Sequence, residues 1–254
     1  MINILMSGCN GKMGQVITKL AASLDNIHIA AGISRQPDKY HNPYPVYKEF
    51  NQIKEKIDVV IDFSNPDILP ELLEYCKNKE TALVLATTGL SPEDYNSVRL
   101  AAETIPVFMS ANMSLGINVL IELARTAASK LGLGFDIEIL EKHHNEKKDA
   151  PSGTALMIAN EINEQLDNSM DFIYDRSQKR EKRKTSEIGI SAIRGGTIPG
   201  EHSVFFAGKD EIVEIKHTAI SRDVFGMGAV KAALYIVNKQ KGIYDMKSML
   251  KEMI

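Results

Sequence analysis

The first fourteen residues constrain the fold of this 254-residue chain more than any other segment. Ile2–Met6 is a short apolar run typical of a buried strand, glycines follow at positions 8, 11 and 14, and apolar residues continue at helical spacing over residues 15–24. Strand, glycine turn and helix together open a dinucleotide-binding unit, in which a pyrophosphate rests on the helix N-terminus. The spacing is one residue longer than G-x-G-x-x-G. A second interpretation therefore stays open, in which the glycines only make a tight turn and let the helix pack closely on the strand.

The following segments continue the same βαβ pattern. Strands are predicted at residues 27–33, 57–63, 82–85 and 106–109. Pro66 and the Ser91-Pro92 pair are helix-start signals between the later strands, which favours a parallel sheet with crossover helices. We therefore predict an α/β chain with a Rossmann-like, doubly wound parallel sheet in a dinucleotide-binding domain over residues 1–110. Helices predicted at 222–238 and 244–253 pack back on this domain and complete it with residues 222–254.

A second domain is predicted over residues 111–221, for substrate binding and oligomerisation. Its strands are expected at 135–140, 187–193, 203–206 and 211–217. They should form one open mixed sheet in an α+β domain, whose exposed face is a place for subunits to meet. His202 and His217 are expected to serve structure or that interface, and the basic run 179–184 is expected to be a solvated loop.

The segment from Glu141 to Ala155, EKHHNEKKDAPSGTA, carries the densest chemistry of the chain. It joins a predicted strand to a predicted helix. Imidazole from His143 and ammonium from Lys147, four residues later, can converge on one bound molecule. The first N–H groups of the helix, at residues 152–154, are expected to face outward and to hold a carboxylate or phosphate. This predicts an anionic substrate.

Two other interpretations of this loop stay open. Histidines beside lysines also occur on solvated surface loops, and a His-His pair can be part of a metal site. We expect no metal, because neighbouring strand residues point to opposite faces, so His143 and His144 do not easily bind one ion. Cys9 and Cys76 are also far away in the sequence.

The choice of cofactor is predicted at the end of the second strand. That position reads Ser34-Arg35, with no carboxylate to repel a 2′-phosphate, which favours NADPH over NADH. The alternative is an ordinary exposed arginine. Thr87, Thr88 and Asn112, in loops after later strands, are candidates to bond a nicotinamide carboxamide.

The combined motifs identify the chain as similar to the dihydrodipicolinate reductase family. The resemblance rests on the glycine turn, Asp62-Phe-Ser64, the TTG loop, SANMSLG at 110–116 and the 141–155 run, and it extends nearly end to end through RGGxxxGEH at 194–202. It implies reduction of 4-hydroxy-tetrahydrodipicolinate to tetrahydrodipicolinate with NADPH or NADH, in lysine and diaminopimelate synthesis. The substrate would be a small cyclic dicarboxylate and the assembly a homotetramer.

The resemblance also assigns residues. His143 would be a proton donor or acceptor and Lys147 the proton donor. The substrate-binding positions are His144, Gly153 and Thr154, with Ser152 added from the helix-start argument. The dinucleotide-binding positions are Gly8, Cys9, Asn10, Gly11, Lys12, Met13, Ser34, Arg35, Phe63, Ala86, Thr87, Thr88, Ser110, Ala111, Asn112, Met113 and Arg222. The chain departs from the family pattern at Ser34, where many relatives have an acidic residue, and at Ala86, which replaces a glycine.

Composition excludes several other classes of protein. A net charge of −3 and a pI near 6.1 disfavour a nucleic-acid partner, and no apolar run is long enough to span a membrane. With two cysteines there is no disulfide framework, so we expect a cytoplasmic protein.

The competing functions are another two-domain NAD(P)-dependent dehydrogenase, for amino acids or polyols, and a non-catalytic dinucleotide sensor. The first would have no reason to carry the His-His-Lys loop, and the second would bind NADPH without oxidising it.

Overall fold

The computed structural model describes residues 1–174, 176–177 and 179–253, apart from the side chain of Leu133. In chain order, the strands are β1 (Ile2–Ser7), β2 (Ile27–Ile33), β3 (Val46–Tyr47), β4 (Val59–Asp62), β5 (Ala82–Leu85), β6 (Pro106–Met109), β7 (Asp136–His143), β8 (Asp171–Ile173), β9 (Glu187–Arg194), β10 (Gly200–Ala207), β11 (Ile212–Ala219) and β12 (Gly242–Tyr244). The α-helices are α1 (Lys12–Ala21), α2 (Leu69–Asn78), α3 (Pro92–Ala102), α4 (Leu115–Leu131), α5 (Gly153–Gln165), α6 (Asp223–Ile236) and α7 (Met246–Glu252).

The chain divides into two compact units. The first comprises Met1–Ser114 together with Arg222–Ile254, and the second comprises Leu115–Ser221. Each unit has its own sheet, so each buries its own apolar core.

The first unit is built on a parallel sheet of seven strands, in the order β12-β6-β5-β4-β1-β2-β3. Its central strands are apolar on both faces, as in β4, where all four residues are buried. Helices α2 and α3 cover one face through a cluster that includes Leu72, Val98 and Leu83. Helix α6 packs against α1 and against β4, β5 and β6. The chain winds from β1 towards β3 and then from β4 towards β6. The strand order therefore reverses between β1 and β4, where doubly wound sheets form a ligand crevice.

The second unit is a mixed sheet of five strands, in the order β11-β10-β7-β9-β8. β10 runs antiparallel to β7 and β11, whereas β7, β9 and β8 are parallel. Helices α4 and α5 pack together and contact β11, β10 and β7. Their core contains Ile121 and Ile158 on the helices and Ile139 and Phe206 on the sheet.

Both sheets confirm the predicted fold class, a Rossmann-like parallel sheet with a separate open mixed sheet. The prediction lacked the short strands β3, β8 and β12 and the helix α4. Strands of two or three residues are too short to show a pattern. Helix α4 does carry a pattern, since Ile117, Ile121, Ala124 and Ala128 are buried at helical spacing.

The basic run 179–184 is a mostly exposed loop, as predicted, but Arg183 is anchored to the protein. The guanidinium of Arg183 donates to the carboxylates of Asp136 at 2.7 Å and Glu138 at 3.0 Å, and to the carbonyl of Ile137 at 3.0 Å. Arginine can satisfy several acceptors at once through its planar fork of donors. The residue therefore fastens this loop to the first residues of β7.

Candidate active site

The glycine turn after β1 is shaped mainly by the protein's own backbone. Gly8 has a φ of +78°, and a Cβ there would lie 2.6 Å from the carbonyl oxygen of Phe63. At Gly14, a Cβ would lie 2.4 Å from the carbonyl oxygen of Cys9, so glycine lets α1 pack closely on the turn. Gly11 caps the N-terminus of α1 and is less crowded. Of the three glycines, Gly11 is the one best placed for the approach of a ligand.

A cavity of about 360 Å³ opens beside this turn, at the carboxyl ends of β1, β2 and β4. It lies where the strand order reverses, as expected for a doubly wound sheet. The lining includes these residues assigned from the sequence: Gly8, Asn10, Gly11, Ser34, Arg35 and Phe63. Its volume and its lining of backbone and small polar side chains suit part of a dinucleotide.

Asn10 connects two walls of this cavity. Its side-chain amide is almost fully buried and donates to the carbonyl oxygens of Gln36 at 2.6 Å and Pro37 at 3.2 Å. Asn42 in turn donates to the Oδ1 of Asn10 at 2.8 Å. Because buried amide hydrogen bonds resist exchange with water, the glycine turn and the loop after β2 hold a fixed spacing.

The loop after β2 presents Arg35 to solvent, but the guanidinium is engaged. It lies 2.9 Å from the carboxylate of Asp67 and 3.3 Å from the Oδ1 of Asn65. Both members of the ion pair are mostly exposed, so the pair is weak. The Ser34 hydroxyl contacts the backbone of Gln36.

Asp62, the last residue of β4, organises the neighbouring loops. Its carboxylate accepts hydrogen bonds from the hydroxyls of Thr87 at 2.5 Å and Ser64 at 2.6 Å, and the Thr87 hydroxyl accepts from the backbone N–H of Ser64. Burial raises the pKa of Asp62, although these hydroxyls oppose the shift. The Thr87 hydroxyl thus faces Asp62. Its contact with a nicotinamide carboxamide stays a prediction.

The other assigned positions of the first unit differ in exposure. Cys9 is fully buried and its sulfur faces Gly32, so only its backbone can meet a ligand. Met113 is buried too, whereas Thr88 and Arg222 are exposed. Asn112 uses its Oδ1 to accept from the N–H of Ser114 at 2.8 Å. The remaining assigned residues are Lys12 and Met13 in α1, Ala86 after β5, and Ser110 and Ala111 after β6.

In the second unit, β7 runs further than predicted, to His143. Its alternate residues are buried, so Glu141 and His143 lie on the same face as Ile137 and Ile139. Continuing the period-two pattern past Leu140 would have found Glu141, which the sequence analysis missed. A fully buried glutamate at such a position needs partners, because an isolated buried charge is very costly.

Three such partners donate four hydrogen bonds to Glu141. Its Oε2 accepts from the Nδ1 of His143 at 2.6 Å and from Arg194 at 2.7 Å, while its Oε1 accepts from Arg194 at 2.6 Å and from the backbone N–H of Ser152 at 2.9 Å. Burial alone would raise the pKa of Glu141, but the hydrogen bonds from His143, Arg194 and Ser152 hold it at about 2. The group is therefore ionised at neutral pH.

His202 belongs to the same cluster, although the sequence analysis assigned it to structure or an interface. Its ring lies edge-on to that of His143, with centroids 5.2 Å apart, and its Nε2 is 3.2 Å from the hydroxyl of Ser152. Burial and the neighbouring His143 lower the pKa of His202 to about 3. His202 is therefore neutral at physiological pH.

The start of α5 differs from the prediction in one respect. Ser152 is the N-cap, and its side chain accepts from the N–H of Ala155. Its own N–H points inward to Glu141, so it does not face outward as expected. The backbone of Gly153 hydrogen-bonds Asp149, and Lys147 lies 2.9 Å from the same carboxylate. The Lys147 contact, more than any other, lowers the pKa of Asp149.

His144 follows the end of β7 and is held by its backbone, whose N–H donates to the carbonyl of Ile198 at 2.9 Å. Within the described residues, its Nδ1 is buried without a hydrogen-bond partner. Such an atom is a candidate to receive a ligand group. Lys147 turns back towards His144, whose carbonyl accepts from the Lys147 N–H at 3.2 Å.

Within residues 1–174, 176–177 and 179–253, neither a metal-binding cluster nor a membrane-spanning helix is found. The described residues contain no group of three or more His, Cys, Asp or Glu side chains placed to hold a metal ion. No helix in the part of the chain that the structure describes has both the length and the apolarity to cross a membrane.

A parallel sheet with a crevice at its reversal point, joined in one chain to an open mixed sheet with His143, His144 and Lys147 at the end of β7, is typical of a two-domain, NAD(P)H-dependent oxidoreductase. The family models narrow this class. The model for the N-terminus of dihydrodipicolinate reductase matches residues 2–113, and the model for its C-terminus matches residues 116–250. The chain belongs to the dihydrodipicolinate reductase family.

Curated relatives agree with this assignment. A 4-hydroxy-tetrahydrodipicolinate reductase from Caldanaerobacter subterraneus subsp. tengcongensis is 50% identical over 252 residues, which are 99% of each chain. The reductase of the same name from Clostridium tetani is 47% identical over 98% of this chain and 97% of its own.

Solved structures agree on the fold. A dipicolinate-bound dihydrodipicolinate reductase from Paenisporosarcina sp. TG-14 aligns with a TM-score of 0.80 at 23% identity, covering 96% of this chain and 97% of its own. A myo-inositol dehydrogenase from Corynebacterium glutamicum aligns with a TM-score of 0.63 at 8% identity, covering 99% and 93%. The architecture is therefore shared with polyol dehydrogenases, and the family match is what separates this chain from them.

Proposed function

We propose that the acid/base loop of the second unit and the crevice of the first act together in the family's reaction. As a member of that family, the chain catalyses the NAD(P)H-dependent reduction of 4-hydroxy-tetrahydrodipicolinate to tetrahydrodipicolinate, a step of diaminopimelate and lysine biosynthesis. The observation that carries the assignment of the site is the loop from β7 to α5, where His143, His144, Lys147 and the first turn of a helix follow one another.

The loop suits a dicarboxylate. Lys147 already lies beside one carboxylate, that of Asp149, and His144 has a buried Nδ1 that no described residue hydrogen-bonds. We assign substrate binding to His144, Ser152, Gly153 and Thr154. Ser152 acts indirectly, through the capped start of α5. The dipicolinate held by the reductase from Paenisporosarcina is a cyclic diacid of this kind.

The dinucleotide-binding positions assigned from the sequence all belong to the first unit, whose crevice fits such a group. The small residues of the glycine turn leave backbone exposed at the N-terminus of α1, where a pyrophosphate is stabilised by N–H groups. When bound, the reduced nicotinamide supplies the hydride.

NADPH is the proposed preferred cofactor. Arg35 lines the crevice, and its guanidinium is held by the exposed carboxylate of Asp67 and by the Oδ1 of Asn65. Exposed pairs of this kind contribute about 0.2–1 kcal/mol, whereas a 2′-phosphate can bind a guanidinium through two charge-assisted hydrogen bonds. The phosphate is therefore expected to win the competition for Arg35, with NADH used less well.

The protein's own groups supply the proton. Loss of the 4-hydroxyl as water and reduction of the conjugated ring require one proton overall. Lys147 is the proposed donor, and His143 is proposed to donate or accept a proton beside it. Positive charge in the loop also stabilises negative charge that develops on the ring, a contribution that is often the largest in enzymes.

The assembly and location are proposals of the same kind. The open face of the mixed sheet carries exposed apolar side chains such as Ile193 and Ile212, which suits a subunit interface in a homotetramer. Both cysteines are buried free thiols, which suits a reducing cytoplasm.

The test is a coupled assay in which the unstable hydroxy-imine is generated in place and the absorbance of NADPH or NADH is followed. The proposal expects both cofactors to be oxidised, NADPH with the higher kcat/KM. Binding of NADPH without oxidation on addition of the substrate would contradict the proposed reaction and leave a dinucleotide sensor.

A further inference from the structure

The side chain of Glu141 is fully buried inside the second unit. Its three partners, His143, Arg194 and Ser152, donate four hydrogen bonds to it at 2.6–2.9 Å. A carboxylate with two oxygens has room for about four such donors, so its hydrogen-bonding capacity is filled.

The donor from His143 must be an N–H group. Arg194 contributes a bidentate pair and Ser152 a backbone N–H, neither of which can accept a proton from Glu141. An ionised carboxylate has no proton to give, so the 2.6 Å contact between its Oε2 and the Nδ1 of His143 requires the hydrogen on Nδ1.

We infer that Glu141 is a positioning residue for the reaction: it fixes His143 in the tautomer with its proton on Nδ1, which leaves Nε2 as the atom that exchanges protons. This inference rests on the proposed function. It names the ring nitrogen of His143 that exchanges protons, and it adds Glu141, a residue outside the acid/base pair, as the group that orients the ring.

The surroundings of Nε2 are consistent with that role. No described residue hydrogen-bonds it, and a Cβ added at Gly200 would lie 3.1 Å from this nitrogen. Any side chain at position 200 would crowd the atom. The neighbouring His202 stays neutral and directs its Nε2 to Ser152, so it does not compete for the Glu141 carboxylate.

Arg194 and Ser152 explain why a charged group is tolerated here. The guanidinium neutralises Glu141 from β9, and its Nη2 also donates to the carbonyl of Asp149 at 2.6 Å. The Ser152 N–H ties the same carboxylate to the N-cap of α5. The carboxylate of Glu141 therefore holds in place both the imidazole of His143 and the N-terminus of α5, the helix proposed to bind substrate.

The first test is made on the wild-type protein, with a variant used only to assign the His143 signal. In the wild-type protein labelled with ¹⁵N-histidine, long-range ¹H–¹⁵N spectra report which ring nitrogen carries the proton, and the His143 signal is identified by its loss in His143→Gln. At every pH at which this ring carries one proton, the inference expects it on Nδ1. A protonated Nε2 with a bare Nδ1 would overturn the inference.

The second test is Glu141→Gln, which preserves shape but can turn an amide N–H₂ towards Nδ1. The tautomer should then change to Nε2–H, and kcat should fall by about 10²-fold with KM changing less than threefold, as expected when a correctly oriented acid/base group is lost. The matched control is Glu161→Gln, which removes another glutamate paired to an arginine, Arg125, in the same unit but away from any histidine. It should keep the wild-type tautomer and kcat.

The outcomes separate this inference from the proposed function. If Glu141→Gln folds and keeps both kcat and the Nδ1–H tautomer, Glu141 has only a structural role and the inference is wrong, while the wild-type activity stands. If the wild-type protein itself does not oxidise NADPH with the substrate, the proposed function fails whatever the tautomer of His143.

Discussion

Two buried carboxylates, one in each unit, have pKa values that are shifted in opposite directions. Asp62 in the first unit and Glu141 in the second are both almost completely removed from water. Hydroxyl groups surround Asp62, and burial prevails, so its pKa is raised. An arginine, an imidazole and a backbone N–H surround Glu141, and its pKa falls to about 2.

The difference shows that burial alone does not set the pKa of a carboxylate. The hydroxyls around Asp62 oppose only part of the effect of burial, whereas the hydrogen bonds from His143, Arg194 and Ser152 together outweigh it at Glu141. Asp62 is thus suited to hold loops in place, and Glu141 is suited to fix the tautomer of the neighbouring His143.

The largest effect should come from removing the acid/base groups of the second unit. We expect His143→Gln or Lys147→Ala to lower kcat by roughly 10²-fold or more. The dissociation constant for NADPH should change little, because the positions proposed to bind it are all in the first unit. Steady-state kinetics and fluorescence titration with NADPH measure the two quantities. Near-normal turnover in both variants would remove the acid/base assignment.

Acid should weaken the second unit through His202 before it affects Glu141. The pKa of His202 lies at about 3 when folded against 6.5 ordinarily, so the unfolded chain binds more protons as pH falls below 6.5. Stability is therefore lost on acidification, by about 2 kcal/mol between pH 7.5 and pH 5 from this residue. Glu141 adds to this loss of stability only as the pH falls from 4.5 towards 2, because its pKa in the folded protein is depressed.

Urea unfolding at pH 7.5 and pH 5 measures this loss, and His202→Asn should make it smaller by that amount. An unchanged difference between the two pH values in the variant would show that His202 does not remain neutral in the folded protein.

The hydroxyls that donate to Asp62, those of Ser64 and Thr87, should have a smaller effect, which we expect on the affinity for NADPH. Thr87→Val removes one donor to Asp62 and the acceptor of the Ser64 N–H. Leaving such groups unpaired costs about 1–3 kcal/mol, so the dissociation constant for NADPH should rise about tenfold. Thr87→Ser keeps the hydroxyl and should bind normally. Equal affinities for NADPH in both variants would mean that the Thr87 hydroxyl does not affect the loops proposed to bind the cofactor.

The smallest expected effect concerns the exposed pair of Arg35 and Asp67. Asp67→Asn frees the guanidinium, so the dissociation constant for NADPH should fall about threefold, in line with the small energy of exposed pairs. Binding of NADH should not change, and Arg35→Ala should weaken NADPH alone. A parallel change for both cofactors would remove Arg35 from the recognition of the 2′-phosphate.

The sequence predicts the first sheet well because buried parallel strands are continuous apolar runs. β2, β5 and β6 begin and end where predicted. It also predicts the loop after β7, whose chemistry is local. Helix α4 was missed because SANMSLG was interpreted only as a loop, although buried residues at helical spacing follow it.

The Glu141 cluster depends on residues distant in sequence, which is why the sequence analysis did not find it. Arg194 is 53 positions away from Glu141, and only the pairing of β7 with β9 brings them together. The pairing of β10 with β7 places His202 opposite Glu141. Sheet register, which no local pattern specifies, therefore determines the partners of His143.

A crystal structure with NADPH and pyridine-2,6-dicarboxylate tests the central claim most directly, since that claim places the diacid on the loop between β7 and α5. We expect one carboxylate of the inhibitor within hydrogen-bonding distance of the Lys147 ammonium and of the backbone at Thr154. An inhibitor bound well away from both residues, with this loop unchanged, would contradict the account.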